Sequence, residues 1–294
     1  MNLIRLQSYS KDRVRALFGL TPTALGELLA VVLPVLLQRR QQHQQGRAGR
    51  QRAVGGGRRR RLKPYQEVLL TLIYLRHNVA HAVVGELFGV SADTSENTFS
   101  EVVAVLRDVC PANRWEAEKH WQRAEPSWKP DELDHVLIDS FETPVPRPSE
   151  PGAQKRRYSG KKKRHTLKTQ VVTDPQGEIL ALDAGHPGPT ADKKLYEQSG
   201  VAAQFPQATK QGDLGYLGAT EMQVPQRKPR GQELSEAQRA ANRALAQTRI
   251  YVEHGIRRIK GFRIMRGDYR LATGLSPMIA GAVVGLVQVN RLWG

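Results

Sequence analysis

Three acidic residues, far apart in the chain, each stand where a metal-binding carboxylate would. Asp139 closes the apolar run Val136-Leu137-Ile138, so a buried strand would deliver its acid at one edge. Asp213 lies in Gly212-Asp213-Leu214-Gly215-Tyr216, where glycines let backbone and a cation approach closely. Glu253 falls between Arg249 and Lys260, and steps of four and seven put all three on one helical face. Ile250, Val252, Ile256 and Ile259 around it predict partial burial, a costly setting for an unpaired acid that a cation would relieve. Singly, each has an ordinary reading: a strand-end acid, a turn acid, an exposed helix with ion pairs. As a set they suit one chemistry. Two divalent cations about 3.5–4 Å apart can clamp the attacking and leaving oxygens of a phosphodiester. Mg²⁺ needs few carboxylates because water and phosphate complete its shell, and Arg249 and Lys260 would hold DNA phosphates beside the ions.

The elements that must bring these acids together can be read from the pattern. His165–Thr173 and Glu178–Asp183 predict strands, joined by the turn Asp174-Pro175-Gln176-Gly177. Thr190–Ser199 predicts a helix, with Asp192 near its start, where a first-turn acid is ordinary. A short strand then leads into Asp213. A capping box of Ser235 and Gln238 opens the long helix that carries Glu253. Strand, hairpin, helix, strand, helix is the order of a ribonuclease-H-like α/β core, in which the acids would converge.

An all-α module precedes this core. Thr21-Pro22-Thr23 reads as a cap, with Leu25, Leu28, Leu29, Val32 and Leu36 following at helical spacing. Pro64 opens a helix to His77, and His81–Phe88 predicts a second. The turn Gly89-Val90-Ser91 and a third helix, Thr94–Leu106, complete a helix-turn-helix layout. In that layout Ser95, Asn97, Thr98 and Ser100 are candidates to face DNA, the alternative being an ordinary packing hairpin. Arg39–Arg61 reads as a Gln, Arg and Gly-rich linker or arm, in which Arg58, Arg59, Arg60 and Arg61 can contact phosphates. Lys161, Lys162, Lys163 and Arg164, followed by His165, form a second basic run that would grip DNA or be a solvated turn; it lacks the upstream glycine of a nucleotide-binding loop. The expected division is 1–38, a helical segment; 39–61, the linker; 62–110, the helix-turn-helix; and 130–294, the catalytic core. The boundary lies where Pro111, Pro126 and Pro130 interrupt any long helix.

Composition bounds the function. The 294 residues are 39% hydrophobic and 25% charged, which reads as globular. A formal net charge of +17 favours a polyanionic partner. Cys110 is the only cysteine, which excludes an internal disulfide and a cysteine-based zinc site. No signal peptide is evident, and the longest apolar stretch, Met278–Val289, reads as a buried helix rather than a membrane span. A soluble cytoplasmic protein working on the nucleoid, with no membrane role, is expected.

The residues also carry a resemblance. Ile138-Asp139-Ser140-Phe141-Glu142-Thr143-Pro144, Tyr158–Thr166, Gly188-Pro189-Thr190-Ala191-Asp192, Gly212–Tyr216 and Arg249–Phe262 resemble, in order, insertion-sequence transposases of the DDE class, in the insertion sequence five group, related to Harbinger-like elements. The resemblance covers about residues 60 to 270. It implies Asp139 as first catalytic acid, Glu253 as third, and Arg249, Glu253 and Lys260 as an Arg–Glu–Lys signature. The tyrosine that often precedes this signature is Ala246 here, which leaves that role unfilled. The middle acid is Asp192 by one motif or Asp213 by its place after the fourth strand, with Asp213 preferred. Two Mg²⁺ ions, replaceable by Mn²⁺, double-stranded DNA at element ends and target, and a homodimer on DNA are what the resemblance implies. A noncatalytic DNA-binding protein and a metal nuclease without strand joining are the alternatives.

Overall fold

The computed structural model describes residues 8–45, 60–110 and 133–294. Five helices come first: α1 (Lys11–Phe18), α2 (Pro22–Gln45), α3 (Pro64–His77), α4 (His81–Phe88) and α5 (Ala92–Val109). There follow β1 (His135–Pro144), α6 (Pro151–Arg157), β2 (Tyr158–Ser159), β3 (Arg164–Thr173), β4 (Ile179–Pro187), α7 (Asp192–Ser199), α8 (Val201–Gln204), β5 (Thr209–Gln211), β6 (Met222–Gln223), α9 (Glu236–Lys260) and α10 (Ser276–Trp293).

Neighbouring strands of the main sheet run β4–β3–β1–β5–β6, and the two-residue β2 pairs with the start of β3. β4, β3 and β1 are antiparallel, whereas β1, β5 and β6 are parallel. Alternation along β1 sends Leu137 and Phe141 into the core shared with α9, α10 and the N-terminal helices. Val136 and Ile138 face a smaller core with Tyr196, Val201, Phe205 and Tyr216. The turn after β3 forms as expected: the Asp174 carboxylate accepts from the backbone N–H groups of Gln176 and Glu178, and Gly177 takes φ 77°.

The helix-turn-helix layout is also present. Gly89 ends α4 at φ 69°, and the Ser91 hydroxyl accepts from the N–H of Thr94 to cap α5. α10 is apolar because it is enclosed: it packs on α5, α2 and β4, and the Gln288 amide donates to the Ile179 carbonyl at 2.8 Å. Glycines permit that approach, since a Cβ on Gly285 would collide with Cys110 and one on Gly281 with Arg107.

Three expectations change here. α2 runs on to Gln45, so the first part of the expected linker is helical. Arg40 on that extension pairs with Glu67 at 2.7 Å and Glu101 at 2.7 Å, and Arg60 meets the same two acids at 3.1 and 2.8 Å. Arg60 is therefore engaged in an ion-pair network that ties α2, α3 and α5 together, rather than offered to DNA; Arg61 is exposed, and Arg58 and Arg59 lie outside the described residues. Ser95 and Thr98 are buried, not DNA-facing. They fall on the same helical stripe as Phe99, Val102 and Leu106, and the Ser95 hydroxyl lies 3.1 Å from His81 Nδ1. Asn97 and Ser100 are on the exposed face. The proposed boundary at 111–130 lies outside the described residues, but the core on either side of it is continuous, running from α1–α5 into α9, α10 and the sheet.

Candidate active site

β1 places Asp139 on the face that α9 covers and Ser140 on the opposite face. Asp139 and Glu253 line one cleft of about 580 Å³, together with Ser140, Ile256, Arg257, Lys260 and Arg266. β5 pairs in parallel with β1, Leu137 opposite Gln211. Continuing that register by two residues sets Asp213 level with Asp139. The Asp213 carboxylate accepts from the N–H of Gly215 at 2.8 Å, closing the short turn that follows β5.

Burial pushes the Asp139 carboxyl up to about 6, and the charges of Asp213 and Asp192 push the same way. The N–H of Ser140 donates to it at 2.7 Å and Arg249 lies near enough to oppose the rise. Tyr216, fully buried beneath the acids, has its phenol pushed far up, by burial first and then by Asp192, Asp139 and Asp213. Lys260 is half-buried, with its ammonium 5.0 Å from the centre of the Phe141 ring. Desolvation lowers its pKa, and so does nearby Lys162, against the pull of Asp139.

Asp192 has a different setting. One of its oxygens accepts from the Ser140 hydroxyl at 2.6 Å and from Lys168 at 3.0 Å; Lys168 also donates to the Thr190 carbonyl at 2.5 Å. Its other oxygen and Asp213 Oδ1 lie 2.6 and 2.9 Å from where a Cβ on Gly215 would stand. Gly215 is thus the residue that lets these two carboxylates share one small space, and Gly212 makes room for the Tyr216 ring at 2.7 Å.

The expected burial of Glu253 is not found: its side chain is exposed at the cleft, as is Ile250, while Val252, Ile256 and Ile259 point to the core. Val252 and Ile259 turn about 100–120° away from Glu253 into the core, and Ile256, beside it in the cleft, covers only one side of the acid. Arg249 is half-buried with its Nε lacking a partner. In the second basic run, Lys161, Lys162 and Lys163 are exposed on the β2–β3 turn, whereas Arg164 is ion-paired with Asp268. Ser140, Lys168, Tyr216 and Arg266 were not anticipated. Lys168 had a signal: it alternates with Thr166 and Gln170 on one polar face of a strand otherwise rich in core residues.

The oxygen-only donor set suits a hard divalent cation, and an acid whose carboxyl rests near 6 among other carboxylates is one whose charge such a cation would relieve. Among the described residues no three His, Cys, Asp or Glu side chains are drawn together closely enough to enclose an ion. The physical reason is visible: Lys168 and Ser140 hold one Asp192 oxygen, and Glu253 stands out in the open cleft.

The strand order, with Asp139 on β1 and Asp213 just beyond the end of the parallel strand β5, and a helix-turn-helix in front, defines a ribonuclease-H-like catalytic core joined to a helical DNA-binding module. A family model described as DDE superfamily endonuclease matches residues 138–288, and one described as the helix-turn-helix of DDE superfamily endonuclease matches residues 60–111. The chain belongs to the DDE superfamily endonuclease family, which implies dependence on a divalent metal. It is 38% identical over 147 residues, 48% of this chain and 51% of the relative, to a probable transposase for insertion sequence element IS702 of Microchaete diplosiphon. That match spans about half the length of the relative. Over 227 residues, 76% of this chain and 78% of the relative, it is 27% identical to a putative transposase for insertion sequence element IS112 of Streptomyces albus G. A solved structure of a pre-cleavage Mos1 transpososome covers 76% of this chain and 83% of its own at 10% identity, with a TM-score of 0.22. The fold is assigned from the strand order and the family match.

Proposed function

We propose that this protein is a transposase that binds duplex DNA at the ends of an insertion element, cleaves it with a divalent metal, and joins the freed 3′-hydroxyl to target DNA. The observation that carries the reading is the meeting of Asp139 and Glu253 in one cleft, with Asp213 two residues beyond the end of the neighbouring parallel strand β5 and its charge felt at Asp139. Asp139, Asp213 and Glu253 would hold two Mg²⁺ ions, or Mn²⁺ in their place, which when bound activate water and stabilise the charge that develops on phosphate.

The remaining work falls to the chain itself. Lys260 and Arg249, flanking Glu253 on α9, neutralise and orient the phosphodiester. Lys161, Lys162 and Lys163 steady the flanking duplex, and Asn97 and Ser100 on the open face of α5 supply groove or phosphate contacts. We assign the middle position to Asp213 rather than Asp192, because Lys168 and Ser140 already satisfy one Asp192 oxygen. By analogy with the family the active form is a homodimer on paired ends, working in the cytoplasm at the nucleoid.

The test is nicking of an element-end duplex in Mg²⁺. Asp213→Asn and Glu253→Gln are expected to reduce it at least about 10³-fold, in line with loss of a directly acting charged group. Asp192→Asn, which keeps an acceptor for Ser140 and Lys168, is expected to stay within about tenfold of the native rate, as for loss of a positioning contact worth about 1.4 kcal/mol. Loss of activity in Asp192→Asn with full activity in Asp213→Asn would reverse the assignment.

A further inference from the structure

The N-terminal half of α9 has no part in the core. From Glu236 to Ile250 no residue is buried, although the same helix later carries Glu253 and then packs through Val252, Gly255, Ile256 and Ile259. An exposed helical stretch that served solubility alone would mix charge signs along its length and pair them at steps of three or four. From Glu236 to Ile250 this one has a single acid, Glu236 in its first turn, against Arg239, Arg243 and Arg249. Arg239 and Arg243 are exposed, four residues apart, and neither makes an ion pair among the described residues. Like charges at that spacing weaken a helix slightly, and an anionic partner would reverse that cost.

The phase of the helix gives these arginines a direction. At 100° per residue Arg239 and Arg257 project along the same line, separated by about five turns, or about 27 Å of helix. Arg243 and Glu253 lie about 40° to either side of that line and Lys260 about 60° from it, with Arg249 about 80° away. The basic face therefore leads straight along α9 to the acid cleft, whose wall includes Arg257 and Lys260. A neighbouring segment adds to it. The N–H of Gln226 donates to the Asn242 side chain at 2.8 Å, and the Asn242 amide donates back to the Gln226 carbonyl at 2.9 Å. That pair fastens exposed Arg227 beside the stretch of α9 that bears Arg243.

We infer that the free half of α9, with Arg227, Arg239 and Arg243, is a phosphate-binding track for duplex DNA that guides the strand toward the Asp139–Glu253 cleft. The inference rests on the transposase reading, and it places DNA along the outer length of α9 in addition to the helix-turn-helix and the β2–β3 turn. The partner is a polyanion with regularly spaced charge, because the basic face that begins at Arg239 and Arg243 runs on to Arg257 over about 27 Å of helix, most of one turn of duplex, and does not converge on a single point.

The test is equilibrium binding of a fluorescent, mixed-sequence DNA duplex, without divalent metal, across a range of KCl concentrations. Each phosphate contact contributes about 0.9 to the slope of log K against log salt, so replacing Arg227, Arg239 and Arg243 together by Gln is expected to reduce the slope by about 2–3. The triple Lys variant, which keeps the charges, is expected to keep the native slope. Thermal unfolding of the Gln variant is expected at or slightly above the native temperature, which separates lost contacts from lost structure. A native slope in a folded Gln variant overturns the track and leaves the active-site reading standing. Absence of salt-dependent binding by the native chain overturns both.

Discussion

Burial and the neighbouring carboxylates of Asp213 and Asp192 hold the Asp139 carboxyl near 6, so at neutral pH the metal-free fold carries a charge it would rather not have. The unfolded chain, with an ordinary aspartate near 3.9, has no such cost. Metal-free stability attributable to Asp139 therefore rises as pH falls through 6 and levels off below about 4. In chelator at pH 7.5, Asp139→Asn is expected to unfold at a higher temperature than the native protein. For a half-buried site a gain of about 1 kcal/mol, or roughly 2–4 °C, is the right order, and the gain should vanish by about pH 4. Equal melting temperatures at both pH values would show that the acid is not held under strain. Asp139, Asp213 and Glu253 stand out in the sequence because each sits at a local signature: the end of an apolar run, a glycine turn, a charged helical face. The partners of Asp192 do not, because Lys168 and Ser140 meet it only through the pairing of β1 with β3 and the packing of α7. The exposure of Glu253 departs from expectation because Val252 and Ile259 turn into the core away from it, while Ile250 beside it is itself exposed.

α5 is built by the capping hydroxyl of Ser91 and a buried stripe that includes small polar residues as well as apolar ones. Ser91→Ala is expected to cost about 1 kcal/mol of stability. Extending the stripe back from Val102 and Phe99 by steps of three and four reaches Thr98 and Ser95, so their burial could have been read from phase; residue type alone suggested the opposite. The ion-pair network behind α5 could not have been read, since Arg40, Arg60, Glu67 and Glu101 are distant in the chain. Glu67 is 1% exposed and sits against both arginines. Glu67→Ala leaves Arg40 buried beside an apolar gap and is expected to cost about 3–5 kcal/mol. Burial by itself would raise the Glu101 carboxyl, but hydrogen bonds and charge from Arg40 and Arg60 bring it below the usual range. Its contribution is present above about pH 4.3 and is lost as pH falls through the depressed value. The stability deficit of Glu101→Gln should accordingly be largest near neutrality and disappear in acid; a deficit independent of pH would place its cause in packing.

The whole molecule is held together by α10, which joins the sheet to the helical module through one core. The helix and its apolar character were legible in Met278–Val289, but its role as the bridge was not, because it depends on Gly281 and Gly285 admitting α5. Gly285→Leu is expected to destabilise both halves together and to lower DNA binding and cleavage in parallel. Two separate unfolding transitions in the native protein would contradict a single core. The succession of strand, hairpin, helix, strand and helix was legible in the sequence, and the sheet order β4–β3–β1–β5–β6 built from it brings Asp139 into one cleft with Glu253 and β5 alongside β1. The most direct test of that arrangement compares Asp139→Asn with the native chain on the same element-end duplex. The variant is expected to bind the duplex with native affinity in chelator and to make no nick in Mg²⁺ or Mn²⁺. Nicking at the native rate by a folded Asp139→Asn protein would contradict that arrangement.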